Sequence, residues 1–196
     1  AVLTLSDGSA IVLDSAGTGT ISQQGGTEVV KMADGQLAYK DADGTSNKVM
    51  YNTLSTPKGG QYQLTLPDGS LVWLNAASSI TFPTVFTGAE RSVTLDGEAY
   101  FEVTTNAKMP FVVQTAEEKV MVLGTHFNVN AYKEEPVYKT TLLEGSVAVS
   151  NATSNVKLVP GQEAIIHPAT KNIKVAQADV EQAIAWKNGL FSFYNA

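Results

Sequence analysis

Leu64-Thr65-Leu66-Pro67-Asp68-Gly69-Ser70-Leu71-Val72-Trp73-Leu74 is the stretch on which the reading of this chain turns. Two runs of β-prone residues flank Pro-Asp-Gly, and glycine supplies the positive φ that a tight turn between strands demands. The same grammar recurs at Leu3-Thr4-Leu5-Ser6-Asp7-Gly8-Ser9-Ala10-Ile11-Val12-Leu13, where the Asp-Gly-Ser triplet falls in register with the first. Looser copies follow at 93–103 around Asp96-Gly97, at 141–149 around Glu144-Gly145, and at 158–166 around Pro160-Gly161. Each is read as strand, tight turn, strand. One hairpin cannot bury its apolar face alone, so the prediction is all-β: stacked antiparallel β-hairpins in a twisted, solenoid-like or sandwich-like body. The spacing between units is irregular, which excludes a fixed-period repeat.

Thr56-Pro57-Lys58-Gly59-Gly60 divides the chain into an N-terminal β-hairpin segment, 1–58, and a main β domain, 59–196. Asp41-Ala42-Asp43-Gly44 reads as a turn; it begins like a calcium loop but lacks the closing glutamate. Asp179 to Gly189 is the one helical stretch, with Asp179 as N-cap, Gln182 three residues on, Lys187 in the last turn and Asn188-Gly189 as the stop. Val180, Ala183 and Ile184 line one face of it, and Trp186 stands off that stripe.

Composition narrows the chemistry. The 196 residues carry 13 Lys and Arg against 19 Asp and Glu, a net charge of −6, which opposes a nucleic-acid surface. There is no cysteine, so disulfides, thiolate metal sites and a cysteine nucleophile are all excluded. No apolar run reaches the length of a membrane span, and no leader-like segment opens the chain. Both ends break into an apolar alternation, Ala1-Val2-Leu3-Thr4-Leu5 and Phe191 to Ala196, so the chain is expected to be a soluble fragment of a longer protein.

Candidate chemistry is sparse. His126 and His167 have no second ligand at metal spacing, and both read as solvated strand or turn residues. Gly17-Thr18-Gly19-Thr20 lacks the third glycine and the helix of a phosphate loop. Asp96, Glu98 and Glu102 raise the question of a glycosidase pair; Glu98 and Glu102, four apart, share one strand face. Trp73 and Trp186 are readable as packing residues or as sugar-stacking platforms. Asn151-Ala152-Thr153 matches a glycosylation sequon, a triplet that also arises by chance. No residue is assigned to catalysis, a cofactor or a metal, and the chain reads as a binding or sensing module.

A larger pattern lies in the order of the blocks. It runs from Leu66-Pro67-Asp68-Gly69-Ser70-Leu71-Val72-Trp73-Leu74-Asn75-Ala76, with Ser79 and Phe82-Pro83, to Arg91-Ser92-Val93-Thr94-Leu95-Asp96-Gly97-Glu98-Ala99-Tyr100-Phe101-Glu102-Val103 and Pro110-Phe111-Val112-Val113. Val122-Leu123-Gly124-Thr125-His126-Phe127-Asn128-Val129, Thr141 to Val147, Pro160-Gly161-Gln162 and Ala185-Trp186-Lys187-Asn188-Gly189 follow. Over about residues 59 to 189 the chain resembles the periplasmic part of FecR-family anti-sigma regulators, the ferric citrate regulator type, in their Bacteroidetes form. The resemblance implies a non-catalytic relay module without cofactors, in the periplasm, on a single-pass inner-membrane protein. Its implied partners are the signalling domain of a TonB-dependent outer-membrane transporter and, through a cytoplasmic segment, an extracytoplasmic-function sigma factor. The sigma-holding segment, the membrane helix and a C-terminal α/β domain are expected to lie outside this chain. Partner-contact residues do not carry over, because the matching residues read as turns and core. The alternative reading is a carbohydrate-binding β module.

Overall fold

Alternation with period two sends every second side chain to the same face of a sheet, and in this chain two such faces are pressed together. The computed structural model describes residues 1–41 and 48–189, with Asp41 by its backbone alone. Residues 42–44 of the expected Asp41-Ala42-Asp43-Gly44 turn and the alternation from Phe191 to Ala196 lie outside the described residues.

The back sheet opens with β1 (Val2–Thr4) and β2 (Ala10–Val12). The front sheet follows with β3 (Gly19–Gln24), β4 (Thr27–Lys31) and β5 (Leu37–Asp41). The chain is in the back sheet again for β6 (Tyr51–Ser55), the front for β7 (Tyr62–Thr65) and β8 (Leu71–Leu74), and the back for β9 (Ser79–Pro83). Strand β10 (Arg91–Glu102) runs through both sheets: Thr94 to Asp96 pair with β9, and from Gly97 onward its partners are β8 and β13 (His126–Ala131). Hairpins then alternate between the layers. β11 (Phe111–Gln114) with β12 (Lys119–Val122) and β15 (Val147–Ser150) with β16 (Asn155–Leu158) build the back sheet. In the front sheet β13 pairs with β14 (Tyr138–Glu144), and β17 (Gln162–Ile166) with β18 (Ile173–Gln177). This is the expected all-β architecture, a twisted stack of hairpins in two layers.

The core is the space between the layers. Phe101 of the front sheet stacks on Phe127 at 5.0 Å and meets Phe111 of the back sheet at 6.1 Å. All three are fully buried, as are Leu3, Leu54, Leu64, Ile80 and Phe82.

Two of the five predicted hairpins form as read, with Leu3 opposite Ile11 and Leu64 opposite Val72. Their Asp-Gly-Ser turns are built alike. The carboxylate of Asp68 accepts from the backbone N–H and hydroxyl of Ser70, as Asp7 does from Ser9, and Gly69 takes φ +83°. The other three are corrected. Residues 93–103 are not a hairpin, because Arg91–Glu102 is one continuous strand. At 141–149 and 158–166, β14 and β15, then β16 and β17, lie in different sheets. Their glycines mark crossings between layers, and the hairpin turns after β10 fall where no glycine stands, at 115–118, 132–137, 151–154 and 167–172. A crossing and a hairpin both need a sharp local bend, so the same residues serve both. Gly97 shows why glycine is required: its φ is +98°, and a Cβ there would lie 2.3 Å from Ser78 Oγ.

The C-terminal helix is also shorter than predicted. α1 spans Val180–Ala183, with the Asp179 carboxylate accepting from the Gln182 N–H. Residues 184–189 continue as turns, which places Lys187 beyond the helix rather than in its last turn. Among the described residues no helix is long and apolar enough to cross a membrane.

Candidate functional site

Outward-facing residues of a two-layer sheet protein are ordinarily wet. Along β10 they are not: Glu98 is 7% exposed and Tyr100 4%. What covers them is the segment that follows β18, residues 178–189, which lies across the outer face of the front sheet. Between segment and sheet is a cleft of about 810 Å³.

The floor of the cleft is a polar network. Glu98 accepts from Asn128 Nδ2 and Asn75 Nδ2, both at 2.8 Å. Asn128 is 2% exposed, and its Oδ1 accepts from the indole N–H of Trp186 at 3.3 Å. Gln61 donates to the carbonyl of Trp186 at 3.0 Å. Burial pushes the Glu98 carboxyl above the usual carboxylate range, while the Asn128, Asn75 and Trp186 donors pull the other way. Asn130, two residues along the same face, keeps a buried Oδ1 without a hydrogen-bond partner. Glu135, Glu163 and Asp179 stand around the cleft against Lys139.

Beside the cleft is an aromatic slot. Trp73 and Tyr100 are direct register partners on β8 and β10, with rings 5.6 Å apart. Lys187 Nζ sits 4.3 Å from both ring centres and 3.5 Å from Glu102 Oε1. Such cation–π contacts are worth about 0.5–2 kcal/mol each. Burial and the neighbouring Glu102 push the Tyr100 hydroxyl up to about 12.

The residues singled out in the sequence are distributed as follows. Glu98 and Glu102 share one face as expected, Glu98 under the cleft and Glu102 at the slot, while Asp96 pairs with Lys133 on the back-sheet half of β10. The C-terminal segment sets Trp186 on Asn128 and its neighbour Lys187 on Trp73. Neither indole is an open platform, since Lys187 lies over Trp73 and Trp186 is tied to Asn128. His126 lies 3.3 Å from Glu144 on the exposed start of β13, and His167 is exposed where β17 turns toward β18. Gly17 to Thr20 leads into β3. Asn151 folds back on its own turn, its Oδ1 accepting from Thr153 and Ser154, and donates to the carbonyl of Lys171. Asn128, Asn130 and Gln61 were not singled out. The run His126-Phe127-Asn128-Val129-Asn130 held the signal, a polar face with two amides where solvated strands usually carry charges.

The FecR protein family profile matches residues 52–148, from β6 to β15. Two crystal structures from Parabacteroides distasonis, each described as "a putative anti-sigma factor", superimpose with TM-scores of 0.69 and 0.68 at 35% and 36% identity. The matches cover 71% and 70% of this chain and 65% of each of those, so the chain spans just under two thirds of their length. No curated protein sequence matches. The crossings and hairpins that build the slot and most of the cleft floor, from β7 to β14, fall inside the matched stretch, and the chain belongs to the FecR family.

Proposed function

We propose that this chain is the periplasmic relay module of a transmembrane anti-sigma regulator, without catalytic activity of its own. In this reading it senses the signalling domain of a TonB-dependent outer-membrane transporter, and the full protein thereby controls an extracytoplasmic-function sigma factor. The observation that carries the reading is the family match over residues 52–148, together with the likeness to structures described as anti-sigma factors. The site chemistry agrees. Three of its acids are engaged: Glu98 accepts from two amides, and Glu102 and Glu163 form ion pairs with Lys187 and Lys139. Contact with a partner has a natural place at the strand edges. Among the described residues β18 pairs with β17 alone, and its other edge offers backbone donors and acceptors next to the exposed Val175.

The test is binding between the purified chain and the signalling domain of the transporter encoded beside the parent gene, with a regulator-dependent reporter in cells. Measurable association, and loss of induction when residues 59–189 are deleted from the full-length regulator, are expected. No association together with unaltered induction refutes the reading.

A further inference from the structure

The segment over the front sheet is held unlike the rest of the molecule. Its helix α1 contributes no buried side chain, and between Val180 and Gly189 only Ala185 falls below 9% exposure. It spans the cleft rather than filling it. What fixes it is Trp186 on Asn128, Gln61 on the Trp186 carbonyl, and Lys187 in the slot of Trp73, Tyr100 and Glu102. The slot itself is rigid, because its three members project from paired strands of the sheet.

We propose that this slot is a docking site for a cationic side chain next to an aromatic one, closed in cis by Trp186-Lys187 and opened to a partner segment of the same chemistry by displacement of residues 179–189. The occupant it commits to is an extended partner segment carrying an aromatic–lysine or aromatic–arginine pair. Two observations favour that chemistry. The cis occupant shows what fits, with the ammonium centred over two rings and paired with a carboxylate. The charge around it is complementary, with Glu98, Glu102, Glu135, Glu163 and Asp179 against Lys139. The cleft beneath the segment leaves room for flanking side chains. The proposal rests on the relay reading only in requiring that a partner exists, and its test needs no transporter, so either can fail alone.

Hydrogen exchange reads the first half. In the 196-residue chain, Lys187→Ala should speed exchange of the hydrogen-bonded amides of Ala185, Lys187 and Gly189 about tenfold, equivalent to about 1.4 kcal/mol. Lys187→Arg should keep wild-type exchange and midpoint, and Lys187→Ala should lower the urea midpoint by no more than about 0.7 M at an m-value of about 2 kcal/mol/M. Unchanged exchange in Lys187→Ala, or wild-type exchange of these three amides as slow as that of the sheet core, overturns the proposal. The second half uses a synthetic peptide copying residues 179–189, added at millimolar concentration to Trp186→Ala/Lys187→Ala. Its binding should shift β8 and β10 amide resonances, at concentrations at least tenfold below those needed with the wild type. Replacing the peptide's lysine by methionine should abolish the shift. Equal response of wild type and double variant, no response in either, or indifference to the methionine replacement refutes the docking site.

Discussion

Gly97→Ala tests the assignment of Asp96-Gly97 as a crossing between sheets rather than a hairpin turn. At φ +98° any side chain is strained, at about 1–2 kcal/mol. The new Cβ would stand 2.3 Å from Ser78 Oγ, 2.6 Å from its Cβ and 2.8 Å from its Cα, so the neighbouring backbone itself must yield. Overpacking of that kind costs about 1–3 kcal/mol. Ser78 Oγ also accepts from the Glu98 N–H and donates to the Ala76 carbonyl, and stranding a buried N–H adds about 1–3 kcal/mol. The expected loss is about 3–8 kcal/mol. Gly69→Ala is the control: its φ is +83°, but its nearest neighbour, Thr104 Oγ1, lies at an ordinary 3.6 Å, so strain alone predicts about 1–2 kcal/mol. Urea melts with a constant m-value measure both. Adding Ser78→Gly to Gly97→Ala should recover part of the loss, a favourable coupling between neighbours. A Gly97→Ala cost within about 1 kcal/mol of the Gly69→Ala cost refutes the close crossing.

Glu118, 1% exposed with only Thr140 Oγ1 on one oxygen, is pushed by burial up to about 7. The folded state therefore holds the proton more tightly than the unfolded one, and stability falls as pH rises from 4.5 to about 7. Glu118→Gln should remove that fall and be about 3 kcal/mol more stable than wild type at pH 8, with little difference at pH 4; parallel pH profiles of the urea midpoint refute it. Arg91, 2% exposed, donates to Asp68 at 2.7 Å and to the carbonyls of Thr104 and Met109. Arg91→Met should cost about 3–5 kcal/mol by taking the ion partner from the Asp68 carboxylate, which keeps only Ser70, and leaving both carbonyls unpaired, and a midpoint within 1 M urea of wild type at an unchanged m-value of about 2 kcal/mol/M counts against it.

The period-two runs made the all-β class legible, because alternation is a property of single strands. Pairing was less so. Asp7-Gly8-Ser9 and Asp68-Gly69-Ser70 close hairpins, since their aspartates cap the turn locally. Glu144-Gly145 and Pro160-Gly161 look the same in sequence, yet their flanking strands find partners in opposite sheets. Which partner a strand takes is a long-range matter that turn residues do not encode. The C-terminal segment was legible as a helix start at Asp179 and illegible as a cover, because its holdfasts are contacts to residues 58 to 125 positions away. Hence the burial of Glu98, Asn128 and Tyr100 on the outer face is not legible from alternation alone. Where a sheet's polar face is buried without apolar replacement, function is a better reason than stability.

That burial also sets what the cover can do. A segment rooted in the core is costly to move, at about 2–5 kcal/mol for each large apolar side chain withdrawn. Among the described residues the segment over the front sheet buries only the small Ala185, and the share of closure that Lys187 supplies, about 1.4 kcal/mol, is a tenfold factor in the open population. A partner that binds the open slot then loses about tenfold in apparent affinity to the cis contact, a small toll that a modest interface overcomes. β10 supplies the rest of the device. Its outward Glu98, Tyr100 and Glu102 form the surface that the cover closes, and its Arg91 to Asp96 half is pinned into the back sheet by β9 and β11. The slot therefore keeps its shape whether the cover is on or off, and the change a partner reads is confined to the segment that moves.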